Sequence, residues 1–307
     1  MSLHSGIPAT IADAVKRGER LERWTLLWIG SVVVVMALVM GQSQAMKSAV
    51  IEDVLSLIPA IVFLLSVHWE RKHANQRFPF GYRRANSLAF LVAATALLSV
   101  GGFLVYESVT TLLRQEHPSV GGITLFGETI WLGWLMMAAL VYSIIPPVIL
   151  GHLKHPVAQR IDDKVLHTDA LMQKADWQTG VAAIAGIVGI GLGWWWADAT
   201  AALIIALSIV KDAVTAIEKA VAELLDGAPR ALDAKGLSDD AVRLIAALND
   251  RFGDADVRLR ETGRYIAAEV DCPSPTTLPT ATELMGAEKA WRLASLSFRP
   301  DSADANN

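Results

Sequence analysis

From Trp24 to Met46 the chain carries no charged residue, and this constrains its fold more than any other feature. The hydrocarbon core of a bilayer, about 30 Å thick, is crossed by roughly 20 apolar helical residues, each rising about 1.5 Å. Further segments meet that requirement. Apolar stretches run from Trp24 to Gly41, Ser48 to Trp69, Ser87 to Leu113, Glu128 to Leu153 and Asp169 to Gly193, and a sixth starts at Trp196 or Ala197 and continues past Lys211. Hydrophobic residues make up 53% of the 307 and charged residues 19%, with a mean hydropathy of +0.38. A disordered or collagen-like chain is thereby excluded. The single cysteine, Cys272, excludes an internal disulfide scaffold, and a net charge of −4 leaves no basic footprint for nucleic acid. The pattern predicts an α-helical integral membrane protein with six transmembrane helices.

Loop cations set the direction. The N-terminal stretch holds Lys16, Arg17, Arg20 and Arg23. The loop after the second span holds Arg71, Lys72, Arg77, Arg83 and Arg84, and the loop after the fourth holds Lys154, Arg160 and Lys164. The alternate loops hold only Lys47 and Arg114. Cytoplasmic loops collect Lys and Arg, so both termini are expected in the cytoplasm. Trp194-Trp195-Trp196 then lies at the outer interface as an aromatic belt. The bases ahead of Trp24 lead into a span too long for a signal-peptide core, so residues 1–23 are read as a cytoplasmic segment.

After Leu225 the patterning becomes that of a soluble protein. Ser238 to Phe252 reads as an amphipathic helix with Ser238 as its N-cap. Val257 to Glu261 and Tyr265 to Asp271 read as strands joined by a hairpin at Gly263, Thr280 to Leu293 as a second helix, and Ala294 to Phe298 as a short third strand. The expected division is 1–23 cytoplasmic, 24–221 the six-helix transmembrane domain, 222–300 a small cytoplasmic α+β domain, and 301–307 a disordered tail.

Acids inside a bilayer cost roughly 2.5–3.5 kcal/mol on insertion scales and mark functional sites by default. Glu52 and Asp53 lie on the second span and Asp176 on the fifth. At 100° per residue, Asp169, Met172, Gln173 and Asp176 share one face of the fifth span, and Glu52, Ser56 and Pro59 share one face of the second. Asp169 also reads as the cap of its helix, Asp53 as an acid near the headgroups, and Met172 as packing. Lys174 points away from Asp176 and is expected to reach the cytoplasmic headgroups. Pro59 and Pro146-Pro147 are expected bending points, since proline removes a helical hydrogen bond.

Four short motifs resemble those of the cation diffusion facilitator family. Phe80-Gly81-Tyr82-Arg83-Arg84-Ala85-Asn86 is similar to that family's Phe-Gly-x-x-Arg/Lys-x-Glu, with Asn86 in place of the Glu. Asp169-Ala170-Leu171-Met172-Gln173-Lys174-Ala175-Asp176 is similar to its Asp-x-x-His-x-x-x-Asp, with Met172 in place of the His. Trp196-Ala197-Asp198 and Leu224-Leu225-Asp226 also match family positions. The resemblance implies a divalent metal cation/proton antiporter of the bacterial inner membrane that exports the cation by alternating access. It implies a homodimer joined through a reduced, ferredoxin-like C-terminal domain. Its cation site maps onto Glu52 and Ser56 of helix two and Met172 and Asp176 of helix five, with Asp53 replacing Glu52 if the alignment shifts by one. No prosthetic group and no enzymatic activity are expected: the metal is cargo, and protons and lipid are the other partners. Two carboxylates with Ser and Met donors favour manganese or iron(II) over zinc. The missing His and acid also leave open a transport-inactive subunit acting as an assembly partner. With no histidine after His167, a metal-sensing C-terminal domain built on His is not expected.

Overall fold

The apolar stretches form long helices, and the N-terminal bases belong to the first of them. In the computed structural model, which describes residues 7–39, 53–115, 122–125, 128–232, 236–253, 255–273 and 275–299, helix α1 (Ala9–Val39) runs unbroken from the basic stretch into the apolar one. Then come α2 (Ile58–Glu70), α3 (Arg84–Arg114), a small hairpin of β1 (Gly122–Leu125) and β2 (Glu128–Trp131), α4 (Leu132–Ile161), α5 (Lys164–Gly191) and α6 (Ala197–Leu224). Among the described residues, three helical stretches are long and apolar enough to cross a membrane: Asp53–Glu70, Arg84–Arg114 and Ala199–Leu224.

Two local departures have clear causes. The fourth stretch does not begin as helix at Glu128. Thr129, Ile130 and Trp131 pair with Thr124, Ile123 and Gly122 across an antiparallel hairpin, and β-branched and aromatic residues favour that pleated arrangement. Helix α4 regains length at its other end, continuing through Pro146, Pro147 and Pro156 to Ile161. The fifth helix starts five residues earlier than expected, at Lys164. Its N-cap is Asp163, whose Oδ1 accepts from the Leu166 N–H at 2.8 Å. Asp169 therefore lies inside the helix and does not cap it.

One apolar cluster draws on each of the six long helices α1–α6. Ile11 and Val15 of α1, Phe63 of α2, Phe90 of α3, Ile161 of α4, Leu166 of α5 and Ala220 of α6 share it with Tyr265 and Trp291 of the C-terminal module. A second cluster packs α3, α5 and α6 through Leu97, Val100, Met172 and Ile209. Gly101 permits that approach, because a Cβ there would lie 3.0 Å from Ile209 and Val210.

The C-terminal module follows the expected order. Helix α7 (Asp239–Phe252) is capped by Ser238, which accepts from the Ala241 N–H. Strands β3 (Val257–Thr262) and β4 (Tyr265–Asp271) are antiparallel, and β5 (Leu293–Arg299) lies parallel beside β4. Helix α8 (Ala281–Lys289), with a capping box of Thr280 and Glu283, ends before the predicted Leu293, and a 3₁₀ turn (Ala290–Arg292) leads into β5. The sheet has the order β3-β4-β5 and is mixed, antiparallel on one side of β4 and parallel on the other.

The module docks through buried charge. Gly263, at φ +61, brings the β3–β4 turn within 2.8 Å of the Arg83 carbonyl, as measured from an ideal Cβ, so only glycine fits. Its N–H donates to Ser87 Oγ and Glu223 Oε1, each at 3.0 Å. Lys164 Nζ bridges Glu223 (3.0 Å) and Glu261 (2.5 Å). Arg264 joins Asp163 (2.6 Å) and Glu70 (2.7 Å), and Arg292 joins Asp162 and Asp240.

Here acids outnumber bases, and burial pushes the Glu261 carboxyl up to about 7, with Lys164 pulling it down and Glu223 pushing it up. The native state therefore holds a proton on Glu261 that the unfolded chain releases near pH 4.5. That contribution is full below pH 4.5 and is lost as pH rises toward 7. We expect the Glu261→Gln variant to melt progressively higher than wild type as pH rises from 5 to 7.5, by on the order of 1 kcal/mol per pH unit. A constant difference between the two melting curves across that range would contradict it.

Candidate metal site

Only part of the mapped ligand set falls among the described residues. Glu52 lies outside them. Asp53, Val54 and Leu55 form a single helical turn, the backbone tightens at Ser56 and Leu57, and α2 then starts with Pro59 in its first turn. The break falls where proline withholds the N–H that would continue the helix upstream, in keeping with Pro59 as a bending point.

Across this break the second and fifth helices meet. Ser56 Oγ donates to Asp176 Oδ1 at 2.8 Å, a contact between residues 120 positions apart. Ser56 is buried at 1% exposure, and Asp176 and Asp53 are half-buried. Met172, one turn before Asp176, is fully buried against α3 and α6, in a cluster to which Leu55 and Ile58 also pack. Ser56 and Asp176, drawn from distant motifs, are thus brought into contact. Met172 belongs to the same side of α5, with its thioether in apolar surroundings. Lys174 is exposed, on the side of α5 expected for it.

The donor set is sparse. Among the described residues no group of three or more His, Cys, Asp or Glu is placed to hold a metal ion. One hydroxyl and one carboxylate in contact, with a thioether a turn away, make a weak oxygen-biased pocket that needs a further carboxylate.

Two residues reveal roles that sequence reasoning did not assign. Asn86, in the position of the signature Glu, is 3% exposed and donates to Asp163 Oδ2 at 2.8 Å. A carboxylate there would oppose Asp163; the amide supplies a donor instead, so this departure follows from the local charge. Lys154, read as a loop cation, is fully buried and bonded to Glu22 (2.7 Å) and Asp169. In the loop ahead of α3, the Tyr82 hydroxyl accepts from Asn75 Nδ2 at 2.8 Å and its ring lies 4.7 Å from Phe78, while His73 is exposed. Tyr82 thus shapes the loop.

Comparison with known proteins follows the same lines. Residues 25–225 match the model of the cation efflux transmembrane domain. A probable cation efflux system protein of Mycobacterium tuberculosis is 25% identical over 263 residues, covering 84% of this chain and 74% of the relative. The zinc transporter ZitB of Escherichia coli is 30% identical over 176 residues, 57% of this chain and 52% of its own. A cadmium, cobalt and zinc/H(+)-K(+) antiporter of Bacillus subtilis is 26% identical over 182 residues, 57% of this chain and 53% of its own.

Proposed function

The chain belongs to the cation efflux family, whose members are membrane transporters and not enzymes, and on that premise we propose that it exports a divalent metal cation from the cytoplasm in exchange for protons. The observation that carries the reading is the Ser56–Asp176 contact, which joins the second and fifth helices at two of the four positions onto which the resemblance maps a cation site. Six spans with both termini inside, residues 24–221 as the transport domain and residues 222–300 as the dimer contact complete the proposal. Alternating access is supported by the helix break at Ser56–Leu57, which puts a hinge beside a ligand.

The cation enters from the cytoplasm and replaces the Ser56–Asp176 hydrogen bond with bonds to their oxygens, while Met172 and an acid from Glu52 or Asp53 complete the coordination. Ligation requires the carboxylates deprotonated, so cation binding expels protons and reprotonation from outside releases the cation. The oxygen-rich set favours manganese or iron(II) over zinc. The test is the pure protein in liposomes holding a pH dye, challenged in turn with manganese, iron(II), cobalt, zinc and magnesium. Proton movement with at least one metal is expected; silence with all of them, in folded dimeric protein, would refute the proposal.

Met172 in place of the His and Ser56 in place of an acid favour a second reading, a transport-inactive subunit that serves assembly. Silence together with co-purification of a transport-competent family member would favour that role.

Specificity gives a separate prediction. Met172→His places an imidazole one turn from Asp176, and imidazole suits zinc better than a thioether does. Zinc affinity measured by competition with a chromophoric chelator is expected to rise at least about tenfold, with manganese changed far less. An unchanged zinc affinity would remove Met172 from the site.

A further inference from the structure

Two turns below the cation site, a second polar cluster is sealed inside the protein. Lys154 of α4 lies between Glu22 of α1 and Asp169 of α5, and all three side chains have 0% exposure. Membrane proteins seldom bury three ionisable groups without a use for them. Fully ionised, the trio carries one negative charge in excess, and an uncompensated charge in a dry interior is expensive. Binding one proton neutralises it.

Among the described residues the charged neighbours have other partners or lie at the surface, and buried His167 of α5 has its ring 5.7 Å from that of His155. On α1 the nearest acid, Glu19, faces Arg71 at 2.8 Å. From α2, Glu70 is turned to Arg264, and His68 is exposed. Lys164, near the start of α5, is held by Glu223 and Glu261. Burial, and then the neighbouring Asp169, raises the Glu22 carboxyl well above the usual carboxylate range, in keeping with a proton shared within the trio.

The cluster also points toward the cation site. Glu22 Oε1 and Asp169 Oδ1 are buried with no hydrogen-bond partner among the described residues, as are both amide atoms of Gln173. Gln173 lies one turn above Asp169 on the same face of α5 and is 0% exposed. It packs opposite Gly151, where an added Cβ would sit 3.3 Å from its own, and Gly151 is one turn above Lys154 on α4. The unpartnered amide thus lies between Asp169 and Asp176, which are roughly 10 Å apart along α5. Buried polar groups of this kind are satisfied by water where protein offers no partner. On the other side, a cavity of about 570 Å³ opens between α1 and α4, lined in part by Leu21 and Leu153, the chain neighbours of Glu22 and Lys154.

We propose that Glu22, Lys154 and Asp169 form an inner proton port, which receives protons displaced by the entering cation and passes them to the cytoplasm. The inference rests on the antiport reading and deepens it. Each proton leaves the cation site, is taken up by a carboxylate of the trio as its previous proton departs to cytoplasmic water, and no electrons move. Lys154 remains charged throughout: it holds the two carboxylates together and occupies the oxygens a metal cation would need. Glu22 and Asp169 carry the proton, and Gln173 orders the path between.

A port differs from a structural tie in what its loss spares. Metal-for-metal exchange across the membrane needs no net proton movement, whereas net export does. Wild type, Glu22→Gln and Asp169→Asn are reconstituted, and two rates are read with the metal that wild type moves among manganese, iron(II) and zinc. These are radiolabelled metal exchange and metal-driven proton flux. The expected result for each variant is a loss of proton flux of at least tenfold, with exchange kept within about twofold. Asp169→Asn keeps the Lys154–Glu22 pair, so it stands in if Glu22→Gln does not fold. Proton flux unchanged in both variants, or flux and exchange falling together in folded protein, would overturn the port while leaving antiport intact. Wild-type metal flux without proton movement would overturn antiport itself, and the port with it.

Discussion

Proteoliposomes carrying Asp176→Ala are expected to show no metal-driven proton movement under conditions where wild type responds. The substitution deletes a carboxylate that meets Ser56 across the second and fifth helices, and no neighbouring acid on α5 lies within one turn to replace it. Loss of a supporting partner in a metal site typically costs 10–100-fold in affinity, and loss of a direct ligand costs more. Affinity should therefore fall by more than about 100-fold. Ser56→Ala removes a weaker neutral donor and should cost about tenfold. Isothermal titration with the transported metal separates the two, with size-exclusion chromatography to establish that each variant remains folded. An Asp176→Ala protein that binds and transports like wild type would move the cation site elsewhere.

The largest stability effect is expected from Arg264→Met. Arg264 is 3% exposed and compensates two buried acids, Asp163 and Glu70, from different helices. Without the guanidinium, both carboxylates remain buried close together. Breaking a buried pair by deleting one partner costs about 3–5 kcal/mol, and here one deletion removes the counter-charge of two acids and uncouples the C-terminal module from α2 and α5. The readout is denaturant or thermal unfolding in detergent. Arg258→Met is the control: its pairs with Asp256 and Asp271 lie at the surface, where screening leaves such contacts little weight, and its melting should match wild type. Equal melting of Arg264→Met and wild type would mean that the docking network contributes nothing to stability.

Several features were legible without the structure because they depend on near neighbours in the chain. The cap at Ser238, the turn at Gly263 and the short last strand are written in local residue types and periodicity. The resemblance to a family put Ser56 and Asp176 in one candidate set with Glu52, Asp53 and Met172, but the direct contact of those two, 120 positions apart, belongs to the tertiary structure. The hairpin at 122–131 was not legible, because Glu128 to Trp131 is apolar enough to continue a helix and becomes a strand only through its pairing with 122–125.

Charge partners were the least legible. The sequence presents Lys154 as one more loop cation, Asn86 as a missing acid and Asp169 as a helix cap. Each is instead defined by a residue far along the chain: Glu22 for Lys154, Asp163 for Asn86, and Lys154 for Asp169. The sequence by itself determined where the apolar helical stretches lie and the order of the C-terminal elements, because hydrophobic length and local capping act over a few residues. Only the tertiary structure decided which ionisable groups are paired, buried or left with unmet hydrogen bonds. A charge is stabilised by whatever opposite charge the packing of other helices brings within about 3 Å, and that choice is made between faces that meet only after the chain has folded.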